Sequence, residues 1–106
     1  MRYITPAELQ AKVKEGEKVC IIDTRDANKF AECHINGAIS IPQISIPNNL
    51  EKFPQDGLLV IYCQYGMKSE QVYIYLREKA KRKNIYILEG GIYQWAKDIE
   101  PSLPVL

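Results

Sequence analysis

Apolar residues in this chain fall into four short runs, separated by stretches whose apolar positions are spaced for helices. Val19-Cys20-Ile21-Ile22, Leu58-Leu59-Val60-Ile61-Tyr62 and Ile85-Tyr86-Ile87-Leu88 are nearly continuous, the pattern of strands covered on both sides. Ala38-Ile39-Ser40-Ile41 reads as a shorter strand that stops at Pro42. Thr5-Pro6-Ala7-Glu8 combines a capping residue, a proline at the first helical position and a glutamate placed to reach back, so a helix starts there. Leu9 and Val13 should share its face, and Gly16 should end it. A short helix is expected around residues 27–32. From Ser69 onward Val72, Leu76 and Ala80 recur every fourth residue, with Tyr73 beside them. Gly90-Gly91 turns the last strand into a final helix containing Trp95. Residues 43–53, with Pro47 and two asparagines, read as a loop with a turn or two of helix. Strands alternating with helices predict an α/β fold, a parallel sheet with helices on both faces.

Composition narrows the picture. A chain of 106 residues with 46% hydrophobic and 25% charged content has the balance of one compact domain spanning 1–106. The formal charge of +1 offers no overall attraction to nucleic acid or to a membrane surface. The N-terminus lacks an apolar signal core, and no stretch approaches the roughly 18 consecutive apolar residues of a membrane span, so the cytoplasm is the expected location. Cys20, Cys33 and Cys63 include no Cys-x-x-Cys pair, which argues against a disulfide framework and against a zinc site.

Cys63-Gln64-Tyr65-Gly66-Met67-Lys68-Ser69 lies between the strongest strand and the best-patterned helix. Ligands of open α/β sheets bind there, beyond the carboxyl ends of the strands. A cysteine at that point meets backbone N–H groups turned inward and the positive end of a helix dipole, which favour the nucleophilic thiolate. Gly66 permits a positive φ and close approach of a ligand, Ser69 occupies the expected N-cap, and Lys68 adds a full positive charge. Taken alone, Cys63 would read as a small apolar residue ending a buried strand. The order strand, cysteine, glycine-containing loop and helix favours chemistry.

This segment resembles the Cys-x-x-Gly-x-x-Ser active loop of the rhodanese family. Ile22-Asp23-Thr24-Arg25 with Phe30 and His34 to Pro42 resembles the family's N-terminal signature, and Leu88-Glu89-Gly90-Gly91 through Trp95 to Leu103-Pro104-Val105 its C-terminal one. The resemblance implies a five-stranded parallel sheet flanked by helices and a two-step sulfur transfer without metal or organic cofactor. Cys63 would take sulfur from a small anionic donor such as thiosulfate, held by Gln64, Tyr65, Gly66, Met67, Lys68 and Ser69, and pass it on from a persulfide. Three departures from the pattern stand out. Lys68 replaces a common arginine and loses its planar fork, Cys33 replaces a glycine, and Lys29 replaces a glutamate. The loop and the tail after Trp95 are also similar to rhodanese domains fused to ubiquitin-activating-like adenylyltransferases. That likeness implies a second role, relay of sulfur from a donor such as a cysteine desulfurase to a sulfur-carrier protein. The chain itself is expected to be a monomer.

Other residues admit plainer readings. His34, the only histidine, belongs to a turn rather than to the loop and is expected to be structural. Arg25 either lines the pocket as a binding residue or pins its turn by pairing with Asp23. Cys20 is expected in the core, and Cys33 as an incidental thiol rather than a resolving one. Trp95 and Tyr73, Tyr75, Tyr86 and Tyr93 read as packing, and the basic run 79–83 as a solvated helix end. A phosphatase of this fold would need an arginine six positions after the cysteine, where Ser69 stands, so that activity is not expected. A non-enzymatic binding module is the remaining rival.

Overall fold

The computed structural model describes residues 1–105. Its elements are β1 (Tyr3–Ile4), α1 (Pro6–Lys14), β2 (Val19–Asp23), α2 (Ala27–Glu32), β3 (Ile39–Ser40), β4 (Leu58–Tyr62), α3 (Ser69–Glu78), β5 (Ile85–Leu88) and α4 (Gly91–Asp98). Two 3-10 segments, Gln43–Asn48 and Leu50–Lys52, fill the stretch between β3 and β4, where a loop with helical turns is expected. All pairings are parallel, in the order β1-β5-β4-β2-β3. The fifth strand, β1, has only two residues, too few to show an alternation, and becomes a strand by pairing Tyr3 with Ile87 and Ile4 with Leu88.

Side chains of β4 alternate between two cores. Leu59 and Ile61 enter one with Ile22, Ile85, Ile87 and the α3 residues Val72, Tyr73 and Leu76. Leu58, Val60 and Tyr62 enter the other with Leu9 of α1 and Ile92 and Trp95 of α4. Both faces of the sheet are therefore covered, which is why the central strands read as continuous apolar runs.

The Thr5 capping box forms in both directions, Glu8 N–H donating to Thr5 Oγ1 at 3.1 Å and Thr5 N–H to Glu8 Oε1 at 2.8 Å. Gly16 follows α1 at φ +79°. Four expectations need correction or refinement. Val13 is 50% exposed, because α1 buries only Pro6 and Leu9 in its first half. Cys20 packs against the α3 core as expected but is only half-buried there, and that burial pushes its thiol pKa up. Arg82 is not solvated: its guanidinium donates to the carbonyls of Leu50, Phe53 and Ala80, clamping the second 3-10 segment to the end of α3. Ala80 lies past the end of α3, yet still packs on the same core.

Candidate active site

β4 ends at Tyr62, opposite Asp23 of β2. Beyond it, Thr24 ties the two strand ends together, its N–H and its hydroxyl each donating to the Tyr62 carbonyl at 3.0 Å. The Tyr62 ring is buried, and its hydroxyl oxygen accepts the Ile35 N–H at 3.2 Å. Burial, together with the neighbouring Asp23 carboxylate, pushes the Tyr62 phenol well above its usual pKa.

Cys63 follows at once, 5% exposed. The chain then turns back so that the Gly66 N–H donates to Cys63 Sγ at 3.1 Å. Gly66 has φ +93°, and a Cβ there would stand 3.2 Å from Gly90 N, so glycine serves both the turn and the close packing. Two carbonyls of this segment are received by α4: Ile92 N–H donates to Cys63 O at 3.0 Å and Tyr93 N–H to Gln64 O at 3.1 Å. Two unpaired donors at the start of α4 thereby hold the loop from behind. Gly91 makes this approach possible, for at φ +64° its Cβ would lie 2.5 Å from Cys63 O. Residue pattern alone does not reveal this support; the only signal in the sequence is a Gly-Gly pair one residue after a strand.

Arg25 performs the pinning role and reaches the cavity too. Its Nη2 lies 2.7 Å from Asp23 Oδ2 and its Nε 3.0 Å from Asp23 Oδ1, while Asp23 Oδ1 also accepts the Arg25 N–H at 2.9 Å. The remaining guanidinium donors go to Cys33 O at 2.7 Å and Gln64 Oε1 at 3.2 Å. Burial by itself would lower the Arg25 pKa, but the hydrogen-bonded Asp23 carboxylate outweighs it and the net direction is up. The carboxylate is fully buried, so this ion pair fixes the turn after β2, and the hydrogen bond from Arg25 to Gln64 ties that turn to the loop.

A cavity of about 910 Å³ opens over the sulfur, lined by Cys63, Gln64, Tyr65, Met67, Lys68 and Arg25 among the residues singled out from sequence. Gly66 and Ser69 are absent from the lining. Ser69 is the first residue of α3 and not its N-cap, because Lys68 is already helical at φ −70°, ψ −23°. Its hydroxyl is buried and is the one such side-chain group without a hydrogen-bond partner among the described residues. Thr24, Asp26, Lys29, Gln43 and Ile44 complete the lining. They come from the β2–α2 turn, α2 itself and the first 3-10 segment, which nothing but folding brings to the cysteine.

His34 is outside the cavity. Its Nδ1 lies 2.9 Å from Phe30 O and its ring stacks on Phe30 with centroids 3.8 Å apart. Cys33 points at the chain's tail, Sγ 3.8 Å from Pro104 O. Trp95 is buried and donates to Glu100 Oε1 at 3.3 Å. Among the described residues, no helix is long and apolar enough to cross a membrane.

Comparison with known proteins gives consistent matches. The family profile described as "Rhodanese-like domain" matches residues 5–98. The probable adenylyltransferase/sulfurtransferase MoeZ of Mycobacterium tuberculosis is 37% identical over 102 residues, 94% of this chain and 26% of that protein. This chain thus spans only about a quarter of MoeZ. The putative sulfurtransferase YtwF of Bacillus subtilis is 32% identical over 103 residues, 96% of this chain and 97% of YtwF. The crystal structure of a rhodanese-like domain protein from Staphylococcus aureus superposes with TM-score 0.81 at 35% identity, covering 90% of this chain and 91% of that one. Sulfur transfer in general is supported by relatives so named. With a parallel five-stranded sheet, a cysteine loop at its carboxyl edge and a family match over nearly its whole length, this chain belongs to the rhodanese family.

Proposed function

We propose that Cys63 takes sulfane sulfur from a small anionic donor such as thiosulfate and passes it to a thiophilic acceptor. The observation that carries this reading is the setting of Cys63 Sγ. It accepts the Gly66 N–H at 3.1 Å and opens onto a cavity that Lys68 also lines. The Cys63 thiolate attacks the outer sulfur of thiosulfate, and the S–S bond of the donor breaks with its electron pair leaving on sulfite. The loop N–H groups and Lys68 face the departing oxyanion, a covalent mechanism with fixed electrostatic stabilisation. A thiophile then attacks the outer sulfur of the persulfide, and Cys63 leaves as thiolate.

Intact-protein mass spectrometry after exposure to thiosulfate tests this. The expected result is a gain of one sulfur atom, removed by cyanide and abolished by Cys63→Ser. A wild-type protein that gains no mass from thiosulfate, mercaptopyruvate or a persulfidated cysteine desulfurase would instead be a binding module. An aryl phosphate should be turned over only at background, since the loop carries a serine where a phosphatase of this fold needs arginine.

A second reading, relay of sulfur to a carrier protein, is supported by the likeness to MoeZ and by the tail after Trp95. It uses the same loop and differs only in the acceptor.

A further inference from the structure

Resting on the sulfur-transfer reading of Cys63, we infer that the cavity receives its acceptor as an extended protein segment, whose thiol is flanked by apolar and acidic side chains. Three large apolar side chains around the cavity are left in water: Ile44 is 88% exposed, Met67 77% and Tyr65 55%. None belongs to either core, so folding does not account for them. Ile44 comes from the first 3-10 segment and the other two from the cysteine loop, so separate stretches of chain converge on one apolar rim. Singly exposed apolar residues need no explanation, but several around one opening mark a contact surface. The rim continues past the cavity, where Tyr65 lies obliquely against the exposed Tyr93, ring centroids 5.3 Å apart, and Lys97 Nζ stands 5.3 Å from the Tyr93 ring centre.

Charge and depth identify the occupant. Lys29 and Lys68 line the cavity and are exposed, and neither forms an ion pair among the described residues. Against them the lining offers a single acid, Asp26, so the complementary partner carries acidic groups. The volume of about 910 Å³ lies near the upper end of the roughly 300–1,000 Å³ typical of sites for much larger ligands than a sulfur oxyanion. Methionine and aromatic side chains are enriched at protein interfaces. Because Cys63 is only 5% exposed, a thiol on a flat folded surface cannot reach it, whereas a thiol on an extended segment can. The partner thiolate attacks the outer sulfur of the Cys63 persulfide, forming a new S–S bond on the partner. The bond to Cys63 Sγ breaks, and its electron pair stays on Cys63 as thiolate.

The probes are acetyl-Glu-Leu-Cys-Leu-Glu-amide, its lysine counterpart acetyl-Lys-Leu-Cys-Leu-Lys-amide, and cyanide. Each is offered to thiosulfate-loaded protein, and loss of the extra sulfur is followed by mass spectrometry. Peptide rates are normalised to each peptide's own rate with a small disulfide in solution. The acidic peptide should discharge the protein about tenfold faster than the basic one, with the preference shrinking in high salt. Ile44→Ser should slow the acidic peptide about fivefold and leave cyanide discharge within about twofold, as expected for a side chain used only in docking. Normal loading and cyanide discharge with no discrimination between the peptides, or unchanged peptide transfer by Ile44→Ser, overturns the docking inference alone. Failure of thiosulfate, mercaptopyruvate and a persulfidated cysteine desulfurase alike to load Cys63 removes the sulfur-transfer reading and this inference with it.

Discussion

Gly91 and Arg25 show how much of the site depends on residues that never meet the reacting sulfur. A methyl group on Gly91 would lie 2.5 Å from Cys63 O and 2.6 Å from Gln64 O, at a φ of +64°. Gly91→Ala must therefore push the loop off α4 and hold a left-handed alanine at a cost on the order of 1–3 kcal/mol. Sulfur loading by the variant should fall on the order of 100-fold, because a displacement near 1 Å is enough for that. Single-turnover loading at the wild-type rate would refute the supporting role of α4. Arg25→Ala removes the partner of a fully buried carboxylate and is expected to cost about 3–5 kcal/mol in urea unfolding. Adding Asp23→Asn should recover part of that loss, because the stranded charge disappears with it.

At the scale of elements, α1, α3 and α4 begin by different devices. α1 depends on its capping box, and Thr5→Ala should cost about 1 kcal/mol. The hydrogen bond from the Thr5 backbone N–H to the Glu8 carboxylate, aided by the Thr5 side chain beside it, holds the Glu8 carboxyl below its ordinary pKa. A carboxylate depressed in the folded state stabilises above its unfolded pKa, and that contribution is lost as pH falls through the folded value. The stability gap between wild type and Glu8→Gln should accordingly be largest near neutral pH and shrink in acid; a gap that widens in acid would contradict the capping role. α3 has no side-chain cap, and its Glu70 N–H donates instead to the Met67 carbonyl of the loop at 3.3 Å. α4 begins at Gly91 after Gly90 at φ +75°, and spends its first free donors on the cysteine loop. The start of α1 thus serves the fold, and those of α3 and α4 the cysteine loop.

At the scale of the whole molecule, two cores meet across one sheet and stiffen its carboxyl edge. Ile61 is fully buried in the α3 core, while its neighbours Val60 and Tyr62 lie in the α1/α4 core. Ile61→Ala should lower unfolding free energy by about 2–5 kcal/mol, and Ile61→Val by far less. Chemical denaturation of the two variants gives both numbers. Because β4 leads straight into Cys63, the cavity mutant should also load sulfur more slowly than Ile61→Val at a temperature where both are folded. Equal loading would mean that the loop is held by α4 and Arg25 alone.

Much of this arrangement is legible in the residues themselves. Continuous apolar runs identify β2, β4 and β5, because strands covered on both faces have no polar side to show. The Thr-Pro-x-Glu start identifies α1, and the cysteine, glycine and serine after β4 identify the loop with its cavity-lining members Gln64, Tyr65, Met67 and Lys68. Those features arise from contacts within a few positions of chain, which sequence carries directly. Tertiary structure alone decided the rest. A two-residue β1 exists only through β5, Val13 is left in water because α1 touches the sheet only through its first half, and Arg82 is drawn into a clamp by carbonyls some thirty positions away. Ser69 changed from an expected cap to a buried first helical residue, since the conformation of Lys68 began the helix one position early. The bracing of Cys63 by Gly91 and Arg25, and the rim that Ile44 completes, depend on distances between segments far apart in the chain, and no local pattern encodes those.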